Sequence, residues 1–254
     1  DELKVAYFTK TNSSNKNVLH ITARNNCTEI LDFFIKKEPN QTDIAMINDY
    51  QDNTPLHIAA ESHSTSFVKM LILYKEKFYA DLKFIEHFNS KNYDGLTPFL
   101  LAVDRGCLEI VEFLKNVDEI NLNARNNLNQ NALQIAIENN RNKVFQFLIL
   151  NTELIDSAPQ NENFSRSIDF TNKDVNGQTL LHIASYKARV EMIKEIIQLK
   201  NVFKPSFLNE RDNEKHTALH FAAYSGSVEI VNILLDFANL DSDDKLDVNA
   251  KGNE

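Results

Sequence analysis

The sequence predicts an all-α fold, a solenoid of about six stacked helix–turn–helix repeats. Three observations carry that prediction. The octet Asn53-Thr-Pro-Leu-His-Ile-Ala-Ala60 returns in altered form as Val18-Leu-His-Ile-Thr-Ala23, Thr97-Pro-Phe-Leu-Leu-Ala102, Ala132-Leu-Gln-Ile-Ala136, Thr179-Leu-Leu-His-Ile-Ala184 and Thr217-Ala-Leu-His-Phe-Ala-Ala223. Each copy is followed by a second apolar pattern at helical spacing, as in Ser66–Ile72, Leu108–Leu114 and Val228–Leu235. Aligned at their first residue, the units start at Asn17, Thr54, Thr97, Asn131, Thr179 and Thr217, with spacings of 37, 43, 34, 48 and 38 residues. A short unit of this kind buries its apolar face only by stacking on its neighbours.

Taken in order, the repeats span about 15–51, 52–94, 95–128, 129–176, 177–214 and 215–254, one array over 1–254. The second shows the logic of the first helix most clearly. Thr54 can accept an unpaired N–H of the first turn, and Pro55 at the first helical position gives up a donor that had no partner. Thr97 and Pro98 repeat the arrangement, while the fourth unit has Asn131, Ala132 and Gln134 instead. Small residues such as Ala59 and Ala60 let the next helix approach closely. The turn between the paired helices needs a residue of positive φ, which Gly106 and Gly226 supply; Asn26, His63 and Asn140 are tolerable substitutes. Ala188 in that place costs on the order of 1 kcal/mol if the turn is unchanged. Extra length falls in two inserts, 74–92 and 151–175. The amphipathic stretch Tyr74–Phe88 predicts an added helix, and the polar, turn-rich Ser157–Ser167 predicts a surface loop.

These residues resemble ankyrin repeats, whose signature is a Thr-Pro-Leu-His-x-Ala helix start in a unit of about 33 residues. The resemblance covers about three quarters of the chain, with the inserts outside it. It implies short β-hairpin fingers between repeats, such as Ile120–Asn126 and Asp247–Ala250. It also implies that His57, His182 and His220 link the Thr hydroxyl and neighbouring backbone, a structural role shared with Thr54, Thr97, Thr179 and Thr217. Partners of the family bind along the finger tips and the exposed positions of the first helix. Carried onto this sequence, those positions are Tyr50, Tyr93, Arg125 and Arg211 on the fingers, with Asp104, Arg105, Tyr186 and Tyr224 on the helices. Tyrosine and arginine are the types that anchor interfaces, which puts Tyr50, Tyr186 and Tyr224 first.

Chemistry leaves little trace. Five glycines stand singly, so no phosphate loop can be drawn, and no His-Glu-x-x-His or Cys-x-x-Cys occurs. No acid–base pair emerges, and neither a catalytic residue, a metal ligand nor a cofactor is expected. A net charge of −9 with no long Lys/Arg run speaks against nucleic acid and favours a basic protein or peptide partner. No apolar run long enough for a bilayer is present, so no direct membrane contact is expected. Cys27 and Cys107 hold the same place in different repeats, too far apart for a disulfide; free thiols fit the cytoplasm. Cys107, beside Arg105 at a helix start, is a possible reactive thiol, as is Cys27.

The expectation is a non-catalytic, ankyrin-type interaction scaffold, a piece of a longer protein through which any oligomerisation would run. Two alternatives stay open. The irregular spacings, the inserts and Ser206–Asp212 leading into His216–Gly226 also resemble the cytosolic arrays of ankyrin-rich transient receptor potential cation channels. So does Leu100, an apolar residue at the His position. The array would then regulate gating. The third reading is a targeting arm of a larger enzyme or a pathogen effector.

Overall fold

The computed structural model describes residues 10–37, 47–73, 87–150, 168–199, 207–240 and 246–252. Most of the amphipathic stretch expected over 74–88 and all of the loop expected over 157–167 lie outside them. The chain divides into two compact units, Asp1–Asn127 and Leu128–Glu254. In the first, helices α1 (Val18–Arg24), α3 (Pro55–Glu61) and α5 (Pro98–Arg105) form one layer. Their outer companions α2 (Thr28–Lys37), α4 (Thr65–Leu73) and α6 (Leu108–Lys115) form a second. The second unit repeats the plan with α7 (Ala132–Glu138), α9 (Leu180–Tyr186) and α11 (Ala218–Tyr224) inside. Outside them stand α8 (Asn142–Leu150), α10 (Val190–Gln198) and α12 (Val228–Leu240). The fold class is all-α helical repeat.

Helices of seven residues are unstable alone in water, so stacking must hold them. Ala59, Ala60, Ala102, Ala136 and Ala184 are fully buried where inner helices approach, and Phe67, Phe99 and Phe145 fill the space between layers. Each inner helix starts at the expected residue, with Asn17, Thr54, Thr97, Asn131, Thr179 and Thr217 in extended conformation at the N-cap. The turns between paired helices all carry a left-handed residue: Asn26, His63, Gly106, Asn140, Ala188 and Gly226. Ala188 has φ of 53°, so the turn is unchanged and its Cβ bears the left-handed strain.

The fingers differ from the hairpins that the resemblance implied. Among the described residues no strand forms, and five of the fingers are tight turns closed by one carboxylate or amide side chain. Five residues before the cap, Asn12, Asp49, Asn92, Asp174 and Asp212 each accept two backbone N–H groups from the turn that follows. The same turn holds a second left-handed residue two before each cap, from Asn15 through Asp52, Gly95, Asn129 and Gly177 to Lys215. Single backbone bonds join successive tips, such as Tyr93 N–H to Gln51 O at 2.9 Å and Asn213 N–H to Asn176 O at 2.9 Å. One bond per tip is too few for a ladder, which is why no strand results.

Candidate functional site

The motif histidines come first, because they separate architecture from function. His57 is wholly buried and its Nε2 lies 3.0 Å from the Leu96 carbonyl oxygen, one residue before the next cap. A carbonyl only accepts, so Nε2 carries the proton and Nδ1 accepts the Thr54 N–H at 3.1 Å. His20 reaches the Asn53 carbonyl at 3.0 Å and His182 the His216 carbonyl at 3.1 Å in the same register. Burial lowers the pKa of all three rings, that of His57 to about 4, so they are neutral at pH 7. They are occupied structural links, with no free nitrogen for a ligand or catalysis.

Gln134 does the same work with an amide. Its Oε1 accepts the Asn131 N–H at 3.1 Å and its Nε2 donates to the Gln178 carbonyl at 3.0 Å, again one residue before the next cap. The sequence marks this repeat as a departure, but an amide offers the same acceptor and donor as a neutral imidazole. Leu100 offers neither; its N–H bonds Thr97 Oγ1 at 3.3 Å.

The partner-binding candidates separate sharply. Tyr50 and Tyr93 stand exposed on successive fingers of the first unit. Arg105 pairs with Glu61 at 2.8 Å and with Asp104 at 3.3 Å. Arg125 is exposed on its finger. Arg211 turns to the C-terminal segment, 3.7 Å from Asp247 and 3.1 Å from the Lys251 carbonyl. Cys107 is 4% exposed and its Sγ donates to the Ala60 carbonyl at 3.2 Å, which shields it from reagents; Cys27 is half-buried, and neither cysteine forms a disulfide.

Tyr186 and Tyr224, in contrast, come together in the second unit. They stack with ring centroids 5.6 Å apart, and Tyr224 is 77% exposed. Phe221 packs edge-on against Tyr186 and against His216, each at 5.8 Å. These rings line a groove of about 640 Å³ whose finger side carries Asp212, Glu214 and Asn213. A recess of about 390 Å³, lined by Glu138, Asp174, Lys187 and Tyr186, adjoins it and shares Tyr186, Phe221, Asn176 and Gln178. The sequence points to Tyr186 and Tyr224 but not to Asp174, Asp212, Glu214, His216 or Phe221. The Asn or Asp five residues before each cap is the signal that would have found the two aspartates.

Two carboxyls at one turn position show how the surroundings differ between the units. Asp49 and Asp174 occupy the same turn position with the same two N–H donors, yet their carboxyls shift in opposite directions. For Asp49, burial alone would raise the pKa, but the N–H groups of Asn53 and Gln51, the Asn53 side chain and the Lys16 ammonium at 3.5 Å outweigh it. For Asp174 burial wins, aided by the charges of Asp212 and Glu138, and the pKa rises. Among the described residues no His, Cys, Asp and Glu side chains cluster as a metal site, and no helix is long and apolar enough to cross a membrane.

Compared with known proteins, the chain matches the family model described as ankyrin repeats (3 copies) over residues 3–86, 78–158 and 154–245. No curated protein matches it.

Proposed function

Because this chain belongs to the ankyrin-repeat family, we propose that it is a non-catalytic protein-interaction module whose docking surface is the aromatic, acidic groove of its second unit. The six helical pairs act as repeats of one kind, and the free thiols suit a cytoplasmic setting. The observation that carries the reading is the exposed Tyr186–Tyr224 stack in a groove with Asp212 and Glu214 on its finger side. Large aromatic side chains held rigid by stacking are the groups that anchor interfaces, and Tyr224, 77% exposed, buries little for the fold. The neighbouring carboxylates favour a basic partner segment through complementary charge.

The test is capture of partners from an extract by the chain, beside its Tyr186→Ala and Tyr224→Ala forms. Capture should fall about tenfold or more with each, as expected of anchors worth over 1 kcal/mol. The unfolding midpoint should stay nearly in place for Tyr224→Ala. Unchanged capture, or equal loss of capture and stability, would overturn the assignment of this groove. The channel reading keeps Leu100, buried at the ring position, in its favour. Currents recorded from the parent protein with and without this segment test it.

A further inference from the structure

The two adjoining recesses of the second unit are built from matching positions one repeat apart, but their charges differ: the first holds a lysine, the position of its Glu138 is taken by Tyr186 in the second, and that of Asn176 by Glu214. In the first, Lys187 stands eight residues after the cap Thr179 and places its Nζ 5.5 Å from the centroid of the Tyr186 ring. Its charge is met by Glu138 at 2.6 Å. The arrangement belongs to the repeat register: Arg105, eight residues after Thr97, meets Glu61 in the same way. In the second recess the ring recurs as Tyr224 and the finger carboxylate as Asp212, with Glu214 beside it. The residue eight after Thr217, however, is Ser225, whose hydroxyl donates to the Ala222 carbonyl at 3.0 Å. The recess that holds its own lysine measures about 390 Å³ and the one without measures about 640 Å³.

Among the described residues, neither Asp212 nor Glu214 meets a lysine or arginine; both face the His216 ring, at 3.8 and 3.6 Å. Glu214 is mostly exposed, and Tyr224 presents its ring to solvent. We infer that the Tyr224 recess is a receptor for one lysine side chain of an extended basic segment of a partner protein, over the ring that matches the one Lys187 covers one repeat earlier. The ammonium lies over the Tyr224 ring with Glu214 as counter-charge, so that two contacts act on one charge. This rests on the interaction-module reading and names the chemistry its groove selects.

The test is NMR titration of the full ¹⁵N-labelled chain at low ionic strength with the peptide acetyl-Gly-Ser-Lys-Ser-Gly-amide. Amide signals around Tyr186, Glu214 and Tyr224 should shift together on one isotherm. Tyr224→Ala and Glu214→Gln should each weaken binding by about fivefold, the value of one cation–π or exposed charge contact. Ser225→Lys should weaken it by about tenfold or more by filling the recess from within, while Ser225→Gln, uncharged, changes it less than about twofold. Replacing the peptide lysine by acetyl-lysine should abolish the shifts, a result that needs no variant to fold. The inference is overturned if the acetylated peptide binds as well, if Ser225→Lys has no effect, or if the shifts map elsewhere. Partner capture that stays sensitive to Tyr224→Ala but indifferent to Ser225→Lys would remove the lysine receptor and leave the interaction module standing.

Discussion

Replacing His57 by alanine tests whether the buried ring is a structural link, and the structure sets the size of the effect. The substitution strips the Thr54 N–H of the Nδ1 that accepts it at 3.1 Å, in a site closed to water. An orphaned buried donor costs about 1–3 kcal/mol. The Leu96 carbonyl loses the Nε2–H donor but keeps the Asn92 N–H at 3.0 Å, so its loss is one ordinary hydrogen bond, about 0.5–1.5 kcal/mol. Before any cavity is counted, the total is about 2–4 kcal/mol. In urea, with a slope of about 2 kcal/mol per molar, the midpoint of the transition should fall by about 1–2 M. His57→Gln provides the control, because Gln134 already spans the same acceptor and donor in its own repeat. That variant should stay within about 1 kcal/mol of the parent. A His57→Ala midpoint within about 0.3 M of the parent, or a glutamine as damaging as the alanine, would refute the hydrogen-bond argument.

The same rings make stability depend on pH. Unfolded histidines titrate near 6.5, whereas folded His57 protonates only near about 4 and burial lowers His20 and His182 as well. Between those values the unfolded chain binds more protons, so the contribution is complete above pH 6.5 and is lost as pH falls toward 4. For His57 it amounts to about 3 kcal/mol, and His57→Gln should flatten the dependence of the urea midpoint across that window. Ala188→Gly should raise stability by about 0.5–1 kcal/mol, since relief of the left-handed Cβ strain exceeds the added chain entropy of glycine; a lower thermal midpoint would contradict this. Gly177→Ala and Gly226→Ala share nearly the same φ, 76° and 71°, but a Cβ at 177 would meet the Asn213 backbone nitrogen at 2.9 Å and one at 226 meets nothing. The first should cost well over the roughly 1 kcal/mol expected of the second, and equal thermal midpoints would show that the finger yields.

What the sequence determined by itself was the local and periodic framework of the helices. The caps at Thr54, Thr97, Thr179 and Thr217, the left-handed turns at Gly106 and Gly226 and the strain at Ala188 all follow from backbone rules acting over a few residues. Such rules repeat with the repeat, and so they are legible. Tertiary structure decided what depends on which side chains meet across repeats. Gln134 is a departure in the alignment and a full replacement for histidine in space, because only the distance to the Gln178 carbonyl reveals that an amide reaches it. Arg105 and Tyr224 occupy neighbouring positions of the repeat pattern, yet Glu61 neutralises the first while the second stands open beside carboxylates that, among the described residues, meet no lysine or arginine. Cys107 stands at a helix start where a thiol can be reactive, yet the fold presses it against the Ala60 carbonyl. Secondary structure arises from contacts near in sequence, whereas a docking surface is set by what stacking leaves uncovered.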